Sequence, residues 1–389
     1  MRLAVAAVAA FMSAVVLLGC KQHSSEADNK EIVIGHVVSR TGDTATFGVS
    51  DEEGANLALS EINAGPLVLG KPIRVVTEDD RSQPDEAKTA TEKLITRDHA
   101  VGILGEIASS RSIAMAPVCQ DAKVPMVSPG STNPKVTEVG DYIFRACFID
   151  PFQGTAMANF AIQNLKLKKF AVLYAVNSDY SVGLKNYFEQ AVKQQGGDIV
   201  AELGYTEKSD KDFRGQLTKI RDANPDAIFV PGYYTEAGLI AQQARDLGIK
   251  VPLMGGDGWD SDQTTKVGKD AINGCYFSNH YSPDEKRPEV QAFVSAYEAR
   301  YKNPDGTPKV PDAMAILGYD AMKLMVHAIT VAGSTDGPKI RDALAATKDF
   351  PGAGGSITID ENRNAKKAIV ILKIEDGKFK FVTSVEPPK

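Results

Sequence analysis

The sequence has little of what marks metal centres, disulfide scaffolds and nucleic-acid surfaces. Its 389 residues include four cysteines, five histidines and one tryptophan, with no Cys-x-x-Cys motif and no Cys/His cluster. A metal site or a disulfide scaffold is therefore not expected. The net charge is −6 and no block of Lys and Arg stands out, so the concentrated positive charge of a nucleic-acid-binding face is missing.

Motifs of common nucleotide-binding and hydrolytic sites are also absent. The chain contains no Gly-x-x-x-x-Gly-Lys-Ser/Thr, no His-Glu-x-x-His and no Gly-x-Ser-x-Gly. The segment Gly352-Ala-Gly-Gly-Ser is rich in glycine but does not match a dinucleotide fingerprint, and the histidines lie in no catalytic spacing. We therefore predict that the protein is not an enzyme and binds no cofactor.

The first residues have the order of regions found in a secretory signal. A short positive start precedes an apolar run over residues 3–18, and a polar stretch follows. The segment Leu17-Leu-Gly-Cys20 resembles the lipobox of bacterial lipoproteins, in which the cysteine becomes the acylated first residue. We predict a lipoprotein signal peptide over residues 1–19, lipidation of Cys20 and a tether over residues 20–30; an ordinary signal with a coincidental cysteine is the alternative. No later apolar run is expected to span a bilayer.

Strand-like and helix-like segments alternate along the rest of the chain. One cycle covers residues 31–128 and a second, similar cycle covers residues 170–255. β-branched runs predict the strands, and apolar residues at helical spacing, such as Phe213, Leu217 and Ile220, predict the helices between them. Short connections between alternating strands and helices are typical of parallel sheets covered by crossover helices. The sequence therefore predicts an α/β protein with two doubly wound lobes.

The last third of the chain predicts a different order of elements. Two long helices, a strand and a hairpin-like pair of strands are expected over residues 288–301, 312–332, 356–360, 368–374 and 378–384. If these helices pack on the first lobe and the last strands on the second, the chain crosses between the lobes three times. The lobes would then be residues 31–150 with 281–367, and residues 151–280 with 368–389.

Three cysteines remain when Cys20 is set aside: Cys119, Cys147 and Cys275. An oxidising compartment favours one disulfide and one leftover thiol. We predict that Cys119 pairs with Cys147, because both are expected in the first lobe, one on a helix and the other near a strand.

Several short segments carry a resemblance to a known family. They include Ser39-Arg-Thr-Gly-Asp, Gly105-Glu-Ile-Ala-Ser-Ser, Ser128-Pro-Gly-Ser-Thr-Asn-Pro, Asp150-Pro-Phe-Gln-Gly and Met254-Gly-Gly-Asp-Gly. In order and spacing, from residue 31 to about residue 382, the chain resembles the leucine/isoleucine/valine-binding family of periplasmic proteins. The resemblance implies the type I periplasmic binding fold: two doubly wound parallel-sheet lobes, joined by a three-stranded hinge, with the ligand between them.

By match to this family, the first lobe would hold the backbone of an amino acid. Ser109 begins a predicted helix, where free N–H groups and the helix dipole favour a carboxylate. Thr132 would donate to the same carboxylate, and the carbonyl of Gly130 would accept from the ammonium. The alternatives are that Ser109 only caps the helix and that residues 128–134 form a plain surface turn.

The second lobe would contribute Tyr180, Tyr233 and Asp257. Tyr233 and Asp257 closely follow predicted strands, and Tyr180 comes after a strand and loop, on the side where ligands bind in open α/β sheets. Asp257 would pair with the ammonium, because a buried carboxylate is costly without a cation. The family commonly carries glutamate here, so the shorter aspartate leaves the geometry open; without the resemblance Asp257 would be a turn residue.

The side chain of the ligand would lie in an apolar pocket. Phe47, Ile107 and Ala108 match positions around that pocket, which favours a branched-chain aliphatic amino acid. Trp259 is interpreted as either a pocket wall or a rim residue.

The resemblance implies an extracytoplasmic substrate-binding protein of an ABC importer. It would close on a small amino acid, pass it to the membrane subunits of the transporter, and be held at the membrane by the lipid on Cys20, as a monomer. A ligand sensor of the same fold, for amides or amino acids, is the alternative.

Overall fold

The structure, a computed structural model, describes residues 30–387. The predicted signal peptide, the predicted lipidation site Cys20 and all but the last residue of the predicted tether lie outside the described residues. The strands are β1 (Ile32–Val38), β2 (Ile73–Asp79), β3 (Gly102–Leu104), β4 (Met126–Ser128), β5 (Ile143–Arg145), β6 (Lys169–Ala175), β7 (Asp198–Tyr205), β8 (Ala227–Phe229), β9 (Leu253–Gly255), β10 (Tyr276–Asn279), β11 (Phe350–Gly352), β12 (Gly355–Ile359), β13 (Ala365–Lys366), β14 (Ile369–Glu375) and β15 (Lys378–Val385).

The helices alternate with these strands along most of the chain. They are α1 (Ala45–Ala64), α2 (Pro84–Thr96), α3 (Ser109–Ala122), α4 (Lys135–Glu138), α5 (Asp150–Asn159), α6 (Asp179–Gln194), α7 (Arg214–Ala223), α8 (Tyr234–Asp246), α9 (Asp262–Gly268), α10 (Pro288–Arg300), α11 (Ala313–Ala332) and α12 (Gly337–Ala345).

The first lobe is built on a parallel sheet of five strands in the order β2-β1-β3-β4-β5. β1 is buried along its whole length, as expected for an apolar central strand covered on both faces. One face packs against α1, α10, α11 and α12, and the other against α2 and α3. The two long helices α10 and α11 thus belong to the first lobe, although they follow the second along the chain.

The second lobe has a sheet of seven strands in the order β15-β14-β10-β9-β8-β6-β7. The strands from β10 to β7 are parallel, but β14 pairs antiparallel with β10 and β15 antiparallel with β14. The predicted hairpin is confirmed, and it adds an antiparallel edge that a purely parallel lobe would lack. A small antiparallel sheet, β11-β12-β13, lies in the chain between α12 and β14.

The chain passes between the lobes three times. It leaves the first sheet after β5, leaves the second sheet after β10, and returns from β13 to β14. The predicted α/β fold of two lobes with a three-stranded hinge is therefore confirmed.

The α11 helix corrects one expectation. Between residues 30 and 387 it is the one helix that is long and apolar enough to cross a membrane. The expectation that no apolar run after residue 18 has this length is therefore wrong. However, 78% of its most apolar stretch is buried inside the protein, where it packs against α1.

The predicted disulfide is wrong. Cys119, Cys147 and Cys275 are all free and buried. Cys119 lies on α3 in the apolar cluster between α2, α3 and the sheet, whereas Cys147 follows β5 and packs in a different cluster where the lobes meet. Because the two thiols belong to separate cores, they are not neighbours. Burial raises the pKa of the Cys147 thiol to about 12.

Candidate ligand-binding site

Five of the predicted ligand-binding residues lie in one apolar cluster where the lobes meet. Phe47, Ile107 and Ala108 come from the first lobe, and Tyr180 and Tyr233 from the second. The rings of Tyr180 and Tyr233 are stacked, with centroids 5.3 Å apart and planes 8° from parallel. The rings of Phe47 and Tyr233 pack edge to face, with their centroids 5.8 Å apart. The predicted pocket residues are thus neighbours in the structure.

Hydrogen bonds between the lobes show that the cleft is closed. The Ser110 hydroxyl donates to Asp179 Oδ2 at 3.1 Å, joining the first turns of α3 and α6. The hydroxyls of Thr46 on α1 and Ser261 in the second lobe are 3.2 Å apart. The closed arrangement brings together groups that the chain places in separate lobes.

Asp257 begins a short turn directly after β9, and its carboxylate is buried and held on both oxygens. Oδ1 accepts from the Gln153 side-chain amide at 2.7 Å and from the Tyr180 hydroxyl at 2.8 Å. Oδ2 is 3.1 Å from Nε2 of His280. Among residues 30–387, no Lys or Arg lies within ion-pair distance of this carboxylate.

His280 links this carboxylate to the hinge. Its ring stacks on Phe148, with centroids 3.9 Å apart and planes 20° from parallel. Burial lowers the pKa of His280, against the opposite effect of Asp257. A neutral His280 therefore donates its Nε2–H to the carboxylate and leaves the negative charge of Asp257 unbalanced.

Gln153 and His280 are site residues that the sequence analysis missed. Gln153 lies within the quoted segment Asp150-Pro-Phe-Gln-Gly, which was the available signal for it. Its amide also donates to Ser278 Oγ at 3.0 Å, which fixes its orientation. His280 had no such signal, because only the fold brings it to Asp257.

Ser109, Gly130 and Thr132 lie on the first-lobe side of the site. Ser109 is the first residue of α3, but Ala108 is at the N-cap and no side chain caps the helix. The alternative in which Ser109 only caps the helix is therefore wrong.

The loop that carries Gly130 and Thr132 is buried, so the alternative of a plain surface turn is wrong as well. A Cβ on Gly130 would lie 3.0 Å from Ile107 Cδ1, which leaves room only for glycine unless Ile107 moves. The Thr132 hydroxyl is buried and has no hydrogen-bond partner in the described part of the chain.

Arg111 lies in the same lobe, where two side chains accept hydrogen bonds from it. Its Nε donates to Glu106 Oε2 at 2.8 Å and its Nη2 to Thr44 Oγ1 at 2.7 Å. Burial and the charge of Glu106 raise the pKa of the neighbouring Asp80 to about 7. The guanidinium charge is thus paired with Glu106 inside the first lobe.

Trp259 is neither a pocket wall nor a rim residue. It is fully buried in the core of the second lobe, where its indole N–H donates to the Val230 carbonyl at 3.1 Å. Both earlier interpretations of Trp259 are wrong, because the turn after β9 directs Asp257 towards the cleft and Trp259 into the sheet core.

A groove of about 720 Å³ lies at another place where the lobes meet. It is lined by residues of both lobes, among them Thr46, Ser261, Asp260 and Asp312, and by none of the nine predicted ligand-binding residues. The groove is therefore distinct from the site around Asp257.

The two-lobed fold is that of a periplasmic solute-binding protein, and comparison with known proteins agrees. Residues 31–378 match the sequence profile of the periplasmic binding protein family. The chain belongs to this family.

Individual relatives extend the comparison. The leucine-binding protein LivK of Thermotoga maritima is 39% identical with a TM-score of 0.87, covering 92% of this chain and 99% of that one. The branched-chain amino acid transporter substrate-binding protein LivJ of Streptococcus pneumoniae, solved with isoleucine, is 33% identical with a TM-score of 0.85, covering 92% and 100%. An amino acid binding protein of Pseudomonas aeruginosa is 30% identical over 81% of this chain and 82% of its own length. The predicted resemblance is confirmed.

Proposed function

We propose that the protein captures an aliphatic α-amino acid between its lobes and delivers it to the membrane subunits of an ABC importer. The relatives named above bind leucine, isoleucine or other amino acids according to their descriptions. The proposal transfers this class of ligand to the present chain, on the strength of the site that its own residues form.

The observation that carries the proposal is the buried charge of Asp257. Three neutral donors, Gln153, Tyr180 and His280, orient its carboxylate, and none of them supplies a positive charge. A ligand ammonium would supply it, and the pairing would be strong because water is excluded.

The other groups of the ligand would meet matching surroundings. The first turn of α3 offers unpaired N–H groups and the Ser109 hydroxyl to a carboxylate, and the Thr132 hydroxyl has no partner in the described chain. Phe47, Ile107 and Tyr233 offer an apolar surface to the side chain. These features together favour a zwitterion with an aliphatic side chain.

The proposal also covers the cellular location and the oligomeric state of the protein. The protein would act outside the cytoplasm, held at the membrane through a lipid on Cys20, and would work as a monomer that binds and releases its ligand unchanged. Membership of a family of binding proteins supports this, as does the signal-like start of the sequence.

A ligand screen tests the proposed function. Purified protein would be freed of bound ligand by partial unfolding, refolded, and screened by thermal shift against the twenty amino acids, small amides and aromatic acids. Leucine, isoleucine or valine should raise the melting temperature, because a ligand of the folded state alone stabilises it. A shift only with compounds that lack an α-ammonium would contradict the proposal.

Substitution of Asp257 tests the site. Asp257→Asn should keep the fold and weaken amino acid binding by about 2–4 kcal/mol, because a buried ammonium loses its charged partner. Calorimetric titration would measure the change. Asp262→Asn is the matched control, since Asp262 is nearby in sequence and largely exposed, and its affinity should be that of the unmodified protein. Equal affinities of both variants would exclude Asp257 from the site.

A further inference from the structure

Asp150 is a second buried carboxylate beside the site. It is the first residue of α5, just after the first crossing between the lobes, and its side chain is fully buried. Within the described chain, neither carboxylate oxygen has a hydrogen-bond partner. Burying a carboxylate without partners is costly, so this position calls for a physical explanation.

The carboxyl group of Asp150 lies between the first-lobe loop and α6. Its backbone N–H donates to the Thr132 carbonyl at 3.0 Å. The Thr132 hydroxyl is close enough to lower the pKa of Asp150, although it does not meet hydrogen-bond geometry. On the other side, a Cβ added to Gly183 of α6 would lie 3.2 Å from Asp150 Oδ2. Asp150 therefore lies next to the unpartnered Thr132 hydroxyl and to the helix that carries Tyr180.

Two charged groups act on Asp150 from neighbouring elements. The charge of Asp257 raises its pKa and that of Arg145 on β5 lowers it. The Arg145 guanidinium, however, donates to the backbone carbonyls of Ser131 and Asn133 and forms no ion pair with Asp150. Burial has the largest effect, and the pKa of Asp150 is raised to about 8.

Three further titratable groups near Asp150 are neutral near pH 7. They are Cys147 on the first crossing and the two tyrosines Tyr180 and Tyr187 of α6, whose pKa values are all raised, mainly by burial. None of them supplies a cation to Asp150. At neutral pH the carboxyl of Asp150 is therefore protonated in most molecules of the closed, ligand-free protein.

We propose that Asp150 is a further ligand-binding residue, which receives the ammonium of the amino acid together with Asp257 and loses its proton to the solvent as the ligand binds. The inference rests on the proposed function, since it requires a ligand with an ammonium group. The ammonium keeps its three protons, the Asp150 carboxyl loses one, and the buffer takes it up. No other bond changes.

The direction of proton exchange then identifies the class of ligand. An ammonium close to Asp150 stabilises the carboxylate and drives the proton out. An acid without an amine brings only negative charge, which would keep the carboxyl protonated. Proton release on binding is thus the signature of an amino acid in this site.

Calorimetry of the full-length protein tests the inference. Leucine, isoleucine and valine would be titrated at pH 7 in phosphate and in Tris, whose ionisation enthalpies differ, and the affinities measured from pH 6 to pH 8. We expect close to one proton released at pH 7 and an affinity that rises with pH by up to about fiftyfold over this range. Binding without proton release would overturn the inference and leave the proposed function standing, whereas absence of binding would contradict the proposed function.

The variant Asp150→Asn tests whether the proton released on binding comes from Asp150. It should bind more weakly than the unmodified protein throughout this range, with the largest difference at pH 8, and release no proton. Asp141→Asn, which changes a largely exposed carboxylate of the same lobe, should behave as the unmodified protein. Proton release that persists in folded Asp150→Asn would overturn the inference. If that variant does not fold, the titrations of the unmodified protein decide.

Discussion

The carboxylate of Asp257 is oriented by side chains from three separate parts of the chain. Gln153 comes from α5, Tyr180 from α6 and His280 from the second crossing of the hinge. A carboxylate with this many donors has little freedom to rotate. A ligand ammonium would therefore meet a charge that is already in place, and less ordering would have to accompany binding.

The three buried thiols should be inert in the folded protein. Burial raises the pKa values of Cys119, Cys147 and Cys275, so little thiolate forms at neutral pH. Iodoacetamide should leave all three thiols unmodified in the folded protein. In urea, which unfolds the protein, it should alkylate all three without a reductant, because none of them is in a disulfide. Mass spectrometry of the peptides would show this. A peptide pair linked through Cys119 and Cys147 would contradict the structure.

Site residues can be identified from the sequence where they follow strands and belong to recognisable segments. Asp257 and Thr132 lie at such positions, and the resemblance supplies their expected roles. Asp150 and Gln153 lie in a quoted segment, but nothing in that segment shows where their side chains point. His280 could not be predicted, since its place beside Asp257 depends on the register of β10 with β9.

The contact between α1 and α11 depends on glycine. A Cβ on Gly54 of α1 would lie 1.8 Å from the Ala315 carbonyl oxygen of α11, and one on Gly318 would lie 2.3 Å from the Asp51 carbonyl oxygen. The two helices therefore approach each other backbone to backbone. This packing buries the apolar α11 against the first lobe.

Gly54→Ala should force these helices apart. We expect a loss of about 2–3 kcal/mol of unfolding free energy, because the methyl group meets backbone atoms that cannot turn away. Urea unfolding followed by circular dichroism would measure it. Gly215→Ala is the control on α7, where an added Cβ meets no atom within 4 Å; it should stabilise by about 0.5–1 kcal/mol. A stable Gly54→Ala would contradict the close approach.

Elements with a strong local pattern were predicted well. The sequence predicts a helix over residues 312–332, and α11 spans Ala313–Ala332. β10 was missed because its four residues show no alternation and become a strand only by pairing with β9 and β14. The local sequence does not show which distant strands a short segment will pair with.

Residues of the site contact residues of the hinge that joins the two lobes. Asp257 touches His280 on the second crossing, and His280 stacks on Phe148 on the first. The proposed binding of a ligand at Asp257 would therefore act on groups that belong to two of the three hinge strands. A ligand that contacts both lobes would shift the population towards the closed form.

A crosslink tests this closure. In Thr46→Cys/Ser261→Cys the two sulfurs would replace hydroxyls that are 3.2 Å apart, a distance from which a disulfide can form. Ligand should speed formation of this disulfide by at least about tenfold if it shifts the protein from open to closed. Gel mobility without reductant would follow the reaction. Equal rates with and without ligand would show that closure does not depend on the ligand, and each single variant serves as a control.

Trp259 gives the second lobe its own optical signal. It is the single tryptophan of the chain, lies two residues after Asp257 and is fully buried. When only indole is excited, all of the fluorescence therefore comes from Trp259. Its emission maximum should lie at the short wavelengths that are typical of an apolar environment. Unfolding of the second lobe would move that emission to longer wavelengths, while unfolding of the first lobe would leave it unchanged. Fluorescence and circular dichroism recorded together would separate the stabilities of the two lobes without any attached dye.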